Sequence, residues 1–392
     1  MPRFPHRASS VASLSSRVFS ALVEKAKARA AAGHVVHPLH VGDTYLEPYP
    51  GATAEAQRAE GQPRLHNYAP PQGEPALLEA IQARLEARGG SLFEASLLQV
   101  CSGATSGLDL VVQSFCEPGD EVLLPSPFWP LIRGIIKKRG AVPVEVPLWP
   151  ALADDAGFDV EAALEARVTE RTVALYLNTP HNPTGVLWTD AQLAAAARVA
   201  DRHGLWVFSD EVYEEVYFGG LPPTPVWARP DFETRTVAVH SMSKGYGLAG
   251  SRVGWIHGPS DAMETLRGVQ TFSTYCAPKP LQRGAARALQ EGDAWLAESR
   301  RVYGAAALAL SDALGIRPVG GGTFAFLDIR PHRREGEDTL GFLERCLEAG
   351  VLLTPGSASG EDYEGWVRIC FSVVPLPELR DALDRLRPLF GR

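Results

Sequence analysis

Short apolar runs recur through the middle of the chain and set its expected architecture. They lie at Leu98–Cys101, Glu121–Pro125, Val142–Val146, Val173–Leu177, Leu205–Phe208, Val237–His240 and Val253–Ile256. Helix-period stretches separate several of them, most clearly Ala191–His203. Apolar runs alternating with helices predict a mostly parallel sheet buried on both faces. Ahead of this region, Glu74–Arg88 places Ala76, Leu77, Ile81 and Leu85 on one helical face, and Gly89-Gly90 ends the helix. Val18–Ala32 is Ala-rich with helical spacing and stops at Gly33, while Pro38–Tyr49 reads as a loop or short strand. Beyond the runs, Lys279–Ala313 is long and helical, and Gly320-Gly321-Gly322 breaks the pattern. A strand at Thr323–Asp328, a helix at Thr339–Ala349, a strand at Trp366–Phe371 and a helix at Pro377–Leu389 form a second, smaller α+β set. No internal repeat, heptad array or low-complexity linker interrupts this plan.

Composition narrows the function classes. Of 392 residues, 45% are hydrophobic and 21% charged, which is ordinary for a soluble globular chain. The net charge of −8, without a strongly basic stretch, disfavours nucleic acid as a partner. Apolar runs such as Val122-Leu123-Leu124 are far too short to span a bilayer. The segment Met1–Gly33 carries Arg3, His6 and Arg7 but no apolar signal core. Cys101, Cys116, Cys276, Cys346 and Cys370 are widely spaced, odd in number and form no C-x-x-C. Free thiols in a reducing compartment are expected, with no metal site, and the location expected is the cytoplasm.

Several positions carry chemistry. Lys244 follows the run Val237–His240 and so sits at a strand's carboxyl end, where α/β sheets bind ligands. Its neighbours Ser241, Ser243 and Gly245 are small and leave room for a bound group. Ser102-Gly103-Ala104-Thr105 is a small-residue turn opening a helix over Leu108–Phe115, a backbone that suits an anion. Arg368 lies in the apolar strand Val367–Phe371 and is costly there unless paired. Asp210 closes the run Leu205–Phe208, as a helix cap or as a functional acid. Pro180 and Pro183 restrict the residues before them and hold Asn182 in a defined pose, with His181 as a supporting neighbour.

In chain order these positions form a constellation. It runs Ser102-Gly103-Ala104-Thr105, Trp129, Asn178-Thr179-Pro180-His181-Asn182-Pro183-Thr184-Gly185, Ser209-Asp210-Glu211-Val212-Tyr213, Ser241-Met242-Ser243-Lys244, Arg252 and Arg368. The series resembles the fold-type-I pyridoxal phosphate enzymes of the aspartate aminotransferase family, class I/II, from about Gly42 to Arg368. The fold expected is therefore α/β: a large domain with a mostly parallel seven-stranded sheet between helices (about 48–290), and a smaller α+β domain built from both chain ends (1–47 and 291–392).

The resemblance implies a role for each position. Lys244 would hold the cofactor's aldehyde and move the substrate's α-proton. Asp210 would face the pyridine nitrogen; Tyr213 and Asn182 would hydrogen-bond the phenolic oxygen. Trp129 would stack on the ring. Gly103, Ala104, Thr105, Ser241, Ser243 and Arg252 would hold the phosphate. Arg368 would clamp the substrate's α-carboxylate, with Gly42 in a flap above it. Tyr68, in Leu65-His66-Asn67-Tyr68, would reach the phosphate of a neighbouring subunit, which implies a homodimer with shared sites. The implied reaction is a ping-pong transfer of an amino group from an L-amino acid to a 2-oxo acid.

Two places depart from the family pattern. Pro355-Gly356-Ser357-Ala358-Ser359-Gly360 has Ser359 where relatives often carry an aromatic, and Val41-Gly42-Asp43-Thr44-Tyr45 differs from the usual Gly-Glu-Pro opening. Both touch the substrate side, so the amino acid stays unnamed. The cofactor motifs also leave open a carbon–sulfur lyase, a decarboxylase or an amino-acid oxidase on the same scaffold. A transcription regulator would need a DNA-binding module, and the residues ahead of Gly42 are too few and not basic enough. A catalytically dead scaffold is opposed by intact Lys244, Asp210, Tyr213 and Arg252.

Overall fold

The computed structural model describes residues 8–12, 14, 20–61, 63–89, 94–155 and 157–392. The N-terminal reading at Arg3, His6 and Arg7, the start of the helix expected from Val18, and Gly90 lie outside these residues. The protein has an α/β fold with two sheets. The larger has seven strands: β1 (Leu98–Cys101), β2 (Glu121–Ser126), β3 (Val142–Pro147), β4 (Thr172–Asn178), β5 (Trp206–Asp210), β6 (Thr236–Ser241) and β7 (Gly254–His257), in the order β1-β7-β6-β5-β4-β2-β3. Pairings from β3 through β6 are parallel, while β7 runs antiparallel to both β6 and β1. All seven apolar runs are strands, each within two residues of its expected bounds. They are legible because both sheet faces are covered and few positions need be polar.

Alternation along the strands feeds two separate cores. Leu123, Leu175, Leu177 and Val207 pack with the helix Asp190–Arg202. Val122, Leu124, Ala174, Tyr176, Phe208 and Val239 point the other way, against the helices Ala104–Phe115, Pro130–Arg139 and Ser260–Ser273. The helix Asp190–Arg202 starts at a full capping box, in which Thr189 and Gln192 satisfy each other's backbone N–H groups.

The smaller sheet is antiparallel, β8 (Phe324–Asp328), β10 (Trp366–Cys370) and β9 (Thr354–Pro355) in that order. Its core joins distant parts of the chain: Leu22 and Leu39 pack with Tyr303, Leu310, Phe342, Leu353, Ile369 and Leu383. The helical stretch expected over Lys279–Ala313 is two helices, Lys279–Glu291 and Asp293–Leu314, parted at Gly292. Pro38–Tyr49 is a loop whose one ladder contact, His37 beside Val351, lies just before it.

Candidate active site

One edge of the seven-stranded sheet gathers the chemistry. β4, β5 and β6 end there, at Asn178, Asp210 and Ser241. The antiparallel β7 begins at the same edge, so Arg252 arrives beside the turn that follows β1. A cavity of about 240 Å³ opens at these strand ends, and Phe324 and Arg368 of the smaller sheet form its far wall.

Lys244 stands in a four-residue helix, Met242–Gly245, capped by the Ser241 hydroxyl. Its Nζ donates to the Gly42 carbonyl. Burial holds the Lys244 ammonium below its ordinary pKa. Arg368, on β10, is 7% exposed. Its guanidinium reaches Asn182 Oδ1 at 3.2 Å and the His40 carbonyl at 3.3 Å, and lies 4.2 Å from the centre of the Phe324 ring. Its buried Nε has no hydrogen-bond partner. Burial works against the charge on Arg368 and lowers its pKa.

Asp210 is buried at the end of β5, and burial raises its carboxyl to about 6. The Tyr176 hydroxyl donates to Oδ2 at 2.6 Å, and the Val212 N–H donates to Oδ1 at 3.3 Å. Asn178 donates from Nδ2 to the Asp210 carbonyl at 2.8 Å, and its Oδ1 accepts the Asn182 N–H at 2.8 Å. Tyr213 is buried nearby, and burial pushes its phenol well up. The peptide bonds Thr179–Pro180 and Asn182–Pro183 are both cis. His181 bonds Thr184 Oγ1 at 2.7 Å, and burial lowers its imidazole to about 4. It is neutral at physiological pH and lies beside the cavity rather than in its wall.

A corner of backbone N–H groups, hydroxyls and the Arg252 guanidinium lies opposite. The helix Ala104–Phe115 starts here, and its first N–H groups have no intrahelical acceptor. Gly103 has φ +78, and a Cβ on it would fall 2.5 Å from Arg252 Nη2. Arg252 is exposed at the mouth with φ +51 and donates to the Ala249 carbonyl at 2.9 Å. Ser241 Oγ donates to Ser243 Oγ at 2.8 Å and accepts the Ser243 N–H at 3.0 Å.

Twelve of the residues expected from sequence line this one cavity: Gly42, Ala104, Thr105, Trp129, Asn182, Asp210, Tyr213, Ser241, Ser243, Lys244, Arg252 and Arg368. Gly103 sits behind it, as backbone against Arg252. Tyr68 stands away from the cavity of its own chain, 82% exposed and edge-on to Tyr275 with ring centres 5.4 Å apart. Sequence reading missed Leu108, Ala249 and Phe324, which also line the wall, and Tyr176 behind Asp210; Asn178 and Val212, named within motifs but given no role there, line it too. Phe324 and Tyr176 occupy strand positions whose aromatic character reads as core.

A model of the family described as aminotransferase class I and II matches residues 35–386. The chain is 33% identical over 370 residues to the arginine–pyruvate transaminase AruH of Pseudomonas aeruginosa, covering 92% of each protein. It is 30% identical over 399 positions to an aspartate aminotransferase of Streptomyces avermitilis, covering 97% of this chain and 95% of that one. A double mutant of the Thermus thermophilus aspartate aminotransferase superposes with a TM-score of 0.89 at 26% identity, over 98% of this chain and 100% of that one.

Proposed function

The chain belongs to the class I and II aminotransferases, pyridoxal phosphate enzymes that move an amino group from an amino acid to a 2-oxo acid, and on that premise we propose how its own residues divide the work. Arg368 carries the reading. A buried guanidinium that meets two neutral oxygens, with its Nε unpartnered, faces the same cavity as Lys244. Burying a charge without a counter-ion is expensive, and an incoming α-carboxylate supplies one.

The cavity also suits the cofactor. The cradle at Gly103 and Arg252, the free N–H groups of Ala104 and Thr105, and the hydroxyls of Ser241 and Ser243 fit a phosphate. Pyridoxal phosphate, when bound, supplies an aldehyde that takes up the amino group and a ring that draws electrons from the α-carbon. Asp210 would face the ring nitrogen and hold a proton there. Asn182 and Tyr213 would hydrogen-bond the phenolic oxygen, and Trp129 would cover one ring face. Lys244 Nζ takes the proton from the donor's α-carbon in one half-reaction. In the other it returns a proton to the α-carbon derived from the 2-oxo acid. Its lowered pKa favours the neutral amine that this role requires. Gly42 would close over the substrate; a Cβ there would fall 2.6 Å from the Phe324 ring.

The seven-stranded body, about 48–290, is read as the cofactor unit. Residues 1–47 with 291–392 are read as the unit that brings Arg368. The exposed Tyr68 is assigned to the phosphate site of a second copy, so the working enzyme is a homodimer. Five free cysteines suit the cytoplasm; among the described residues no helix is long and apolar enough to cross a membrane.

The test is to mix the purified protein with single amino acids, without any oxo acid, and follow the cofactor's spectrum and mass. Conversion to pyridoxamine phosphate with release of the matching 2-oxo acid is expected. An amino acid consumed with the cofactor unchanged, and ammonia, thiol or carbon dioxide released, would overturn the assignment.

A further inference from the structure

We infer that Tyr176 is a positioning residue for the cofactor's ring nitrogen, acting through a hydrogen bond that fixes the Asp210 carboxylate. The inference rests on the reading that Asp210 faces that nitrogen.

The geometry comes from strand alternation. Leu175 and Leu177 enter the core on one sheet face, and Ala174 and Tyr176 the core on the other. In register, Tyr176 pairs with Phe208 and Asn178 with Asp210. Tyr176 and Asp210 are thus diagonal neighbours on adjacent parallel strands, within reach of a long aromatic. Tyr176 is 2% exposed and Asp210 3%. Their bond, at 2.6 Å, joins a neutral donor to a carboxylate in a dry site, where such bonds are strong. Two residues on, Asn178 holds the Asp210 carbonyl with its amide nitrogen and the Asn182 N–H with its amide oxygen. Alternate residues of β4 therefore tie down both Asp210 and Asn182.

Packing alone does not call for the hydroxyl. The Tyr176 ring lies among Phe208, Val122, Leu124 and their neighbours, a setting that phenylalanine would fill. Burial keeps the Tyr176 phenol protonated, so it remains a donor across the working pH range. The other ionisable groups that act on this pair are Tyr213, close to Tyr176, and His240 of β6. His240 is itself engaged by Glu214 at 2.7 Å and His257 at 3.0 Å. Among the described residues, Tyr176 is the side chain that bonds the carboxylate directly. A hydrogen bond to the charged form keeps the proton on the ring nitrogen rather than on Asp210.

The test uses holoenzyme reconstituted with pyridoxal phosphate labelled with ¹⁵N in its ring, recorded at neutral pH. Four proteins are compared: wild type, Tyr176→Phe, Asp210→Asn and the double variant. Tyr176→Phe is expected to move the ring signal toward unprotonated pyridine, with the protonated-to-unprotonated ratio falling about tenfold, the effect of one hydrogen bond to a charged group. kcat should fall with it while KM for the amino acid holds. In the Asp210→Asn background the phenylalanine should add nothing, because Tyr176 acts through the carboxylate. Phenylalanine keeps the ring that packs in the core, so the single variant on which the comparison depends is expected to fold. If Asp210→Asn moves the signal and Tyr176→Phe does not, or if the two effects add, the inference fails while the reading of Asp210 stands. If Asp210→Asn leaves the signal in place, the reading of Asp210 fails and takes the inference with it.

Discussion

Asp210 and Lys244 show how single side chains in this site are held away from their ordinary chemistry. Burial raises the Asp210 carboxyl from an unfolded value near 4 to about 6. Between those values the folded, cofactor-free protein holds more protons than the unfolded chain, so this group's contribution to stability falls as pH rises from about 4 to 6. Asp210→Asn removes that penalty. The cofactor-free variant should therefore gain on wild type across this window, by on the order of 2 kcal/mol. Denaturant unfolding of both proteins at pH 4 and pH 7 measures it; a difference that does not change with pH would contradict a buried carboxyl whose hydrogen bonds do not offset its desolvation. Lys244→Ala should lower kcat by about 10⁴-fold, the upper end of what a positioned acid–base group contributes. Single-turnover kinetics with the best donor checks this, and a near-wild-type rate would remove Lys244 from the mechanism. Lys244, Asp210 and Arg368 could be picked out from sequence because each falls at its place in a series of motifs that resembles a known family; a charged residue at a strand end or inside a strand would not by itself have singled them out. Tyr176 and Phe324 could not, since an aromatic in a strand looks the same whether its polar tip or its ring face serves a neighbour.

At the scale of elements, the site exists because strand ends converge. β4, β5 and β6 deliver Asn178, Asp210 and Ser241 to one edge by running parallel, and β7 delivers Arg252 by running the opposite way. The apolar runs marked the strands but not the reversal, because a strand buried on both faces has the same composition in either direction. The break at Gly292 was equally hidden, as a glycine between two Ala-rich helical stretches is tolerated within one helix as readily as between two. The turn after β1 is different, since its small residues have a use that can be tested. Gly103 takes φ +78 in front of Arg252, a conformation costing a side chain about 1–3 kcal/mol before any clash. Gly103→Ala should weaken cofactor binding at least about tenfold. The loss should be larger for pyridoxal phosphate than for phosphate-free pyridoxal. Equilibrium titration of the cofactor-free protein with both compounds measures this, and equal losses would place the effect outside the phosphate corner.

For the whole molecule the open point is how many chains complete one site. Tyr68 is 82% exposed and lies edge-on to Tyr275, while Phe272, at the end of the helix leading to Tyr275, is 93% exposed. Exposed aromatics of this kind are what a partner surface covers. If Tyr68 completes the phosphate site of a second copy, the two defects Lys244→Ala and Tyr68→Ala fall in the same site of a mixed dimer. Its other site then has wild-type residues at both positions. Subunits mixed and re-equilibrated at equal amounts should recover about one quarter of wild-type activity, from the half of the dimers that are mixed and the one intact site in each. A site built within one chain predicts something else: every Lys244→Ala subunit stays dead and every Tyr68→Ala subunit keeps its own reduced rate. Mixing would then give only the mean of the two parents. The measurement is activity against mixing ratio, with a maximum near equal amounts expected for a shared site and a straight line for a private one.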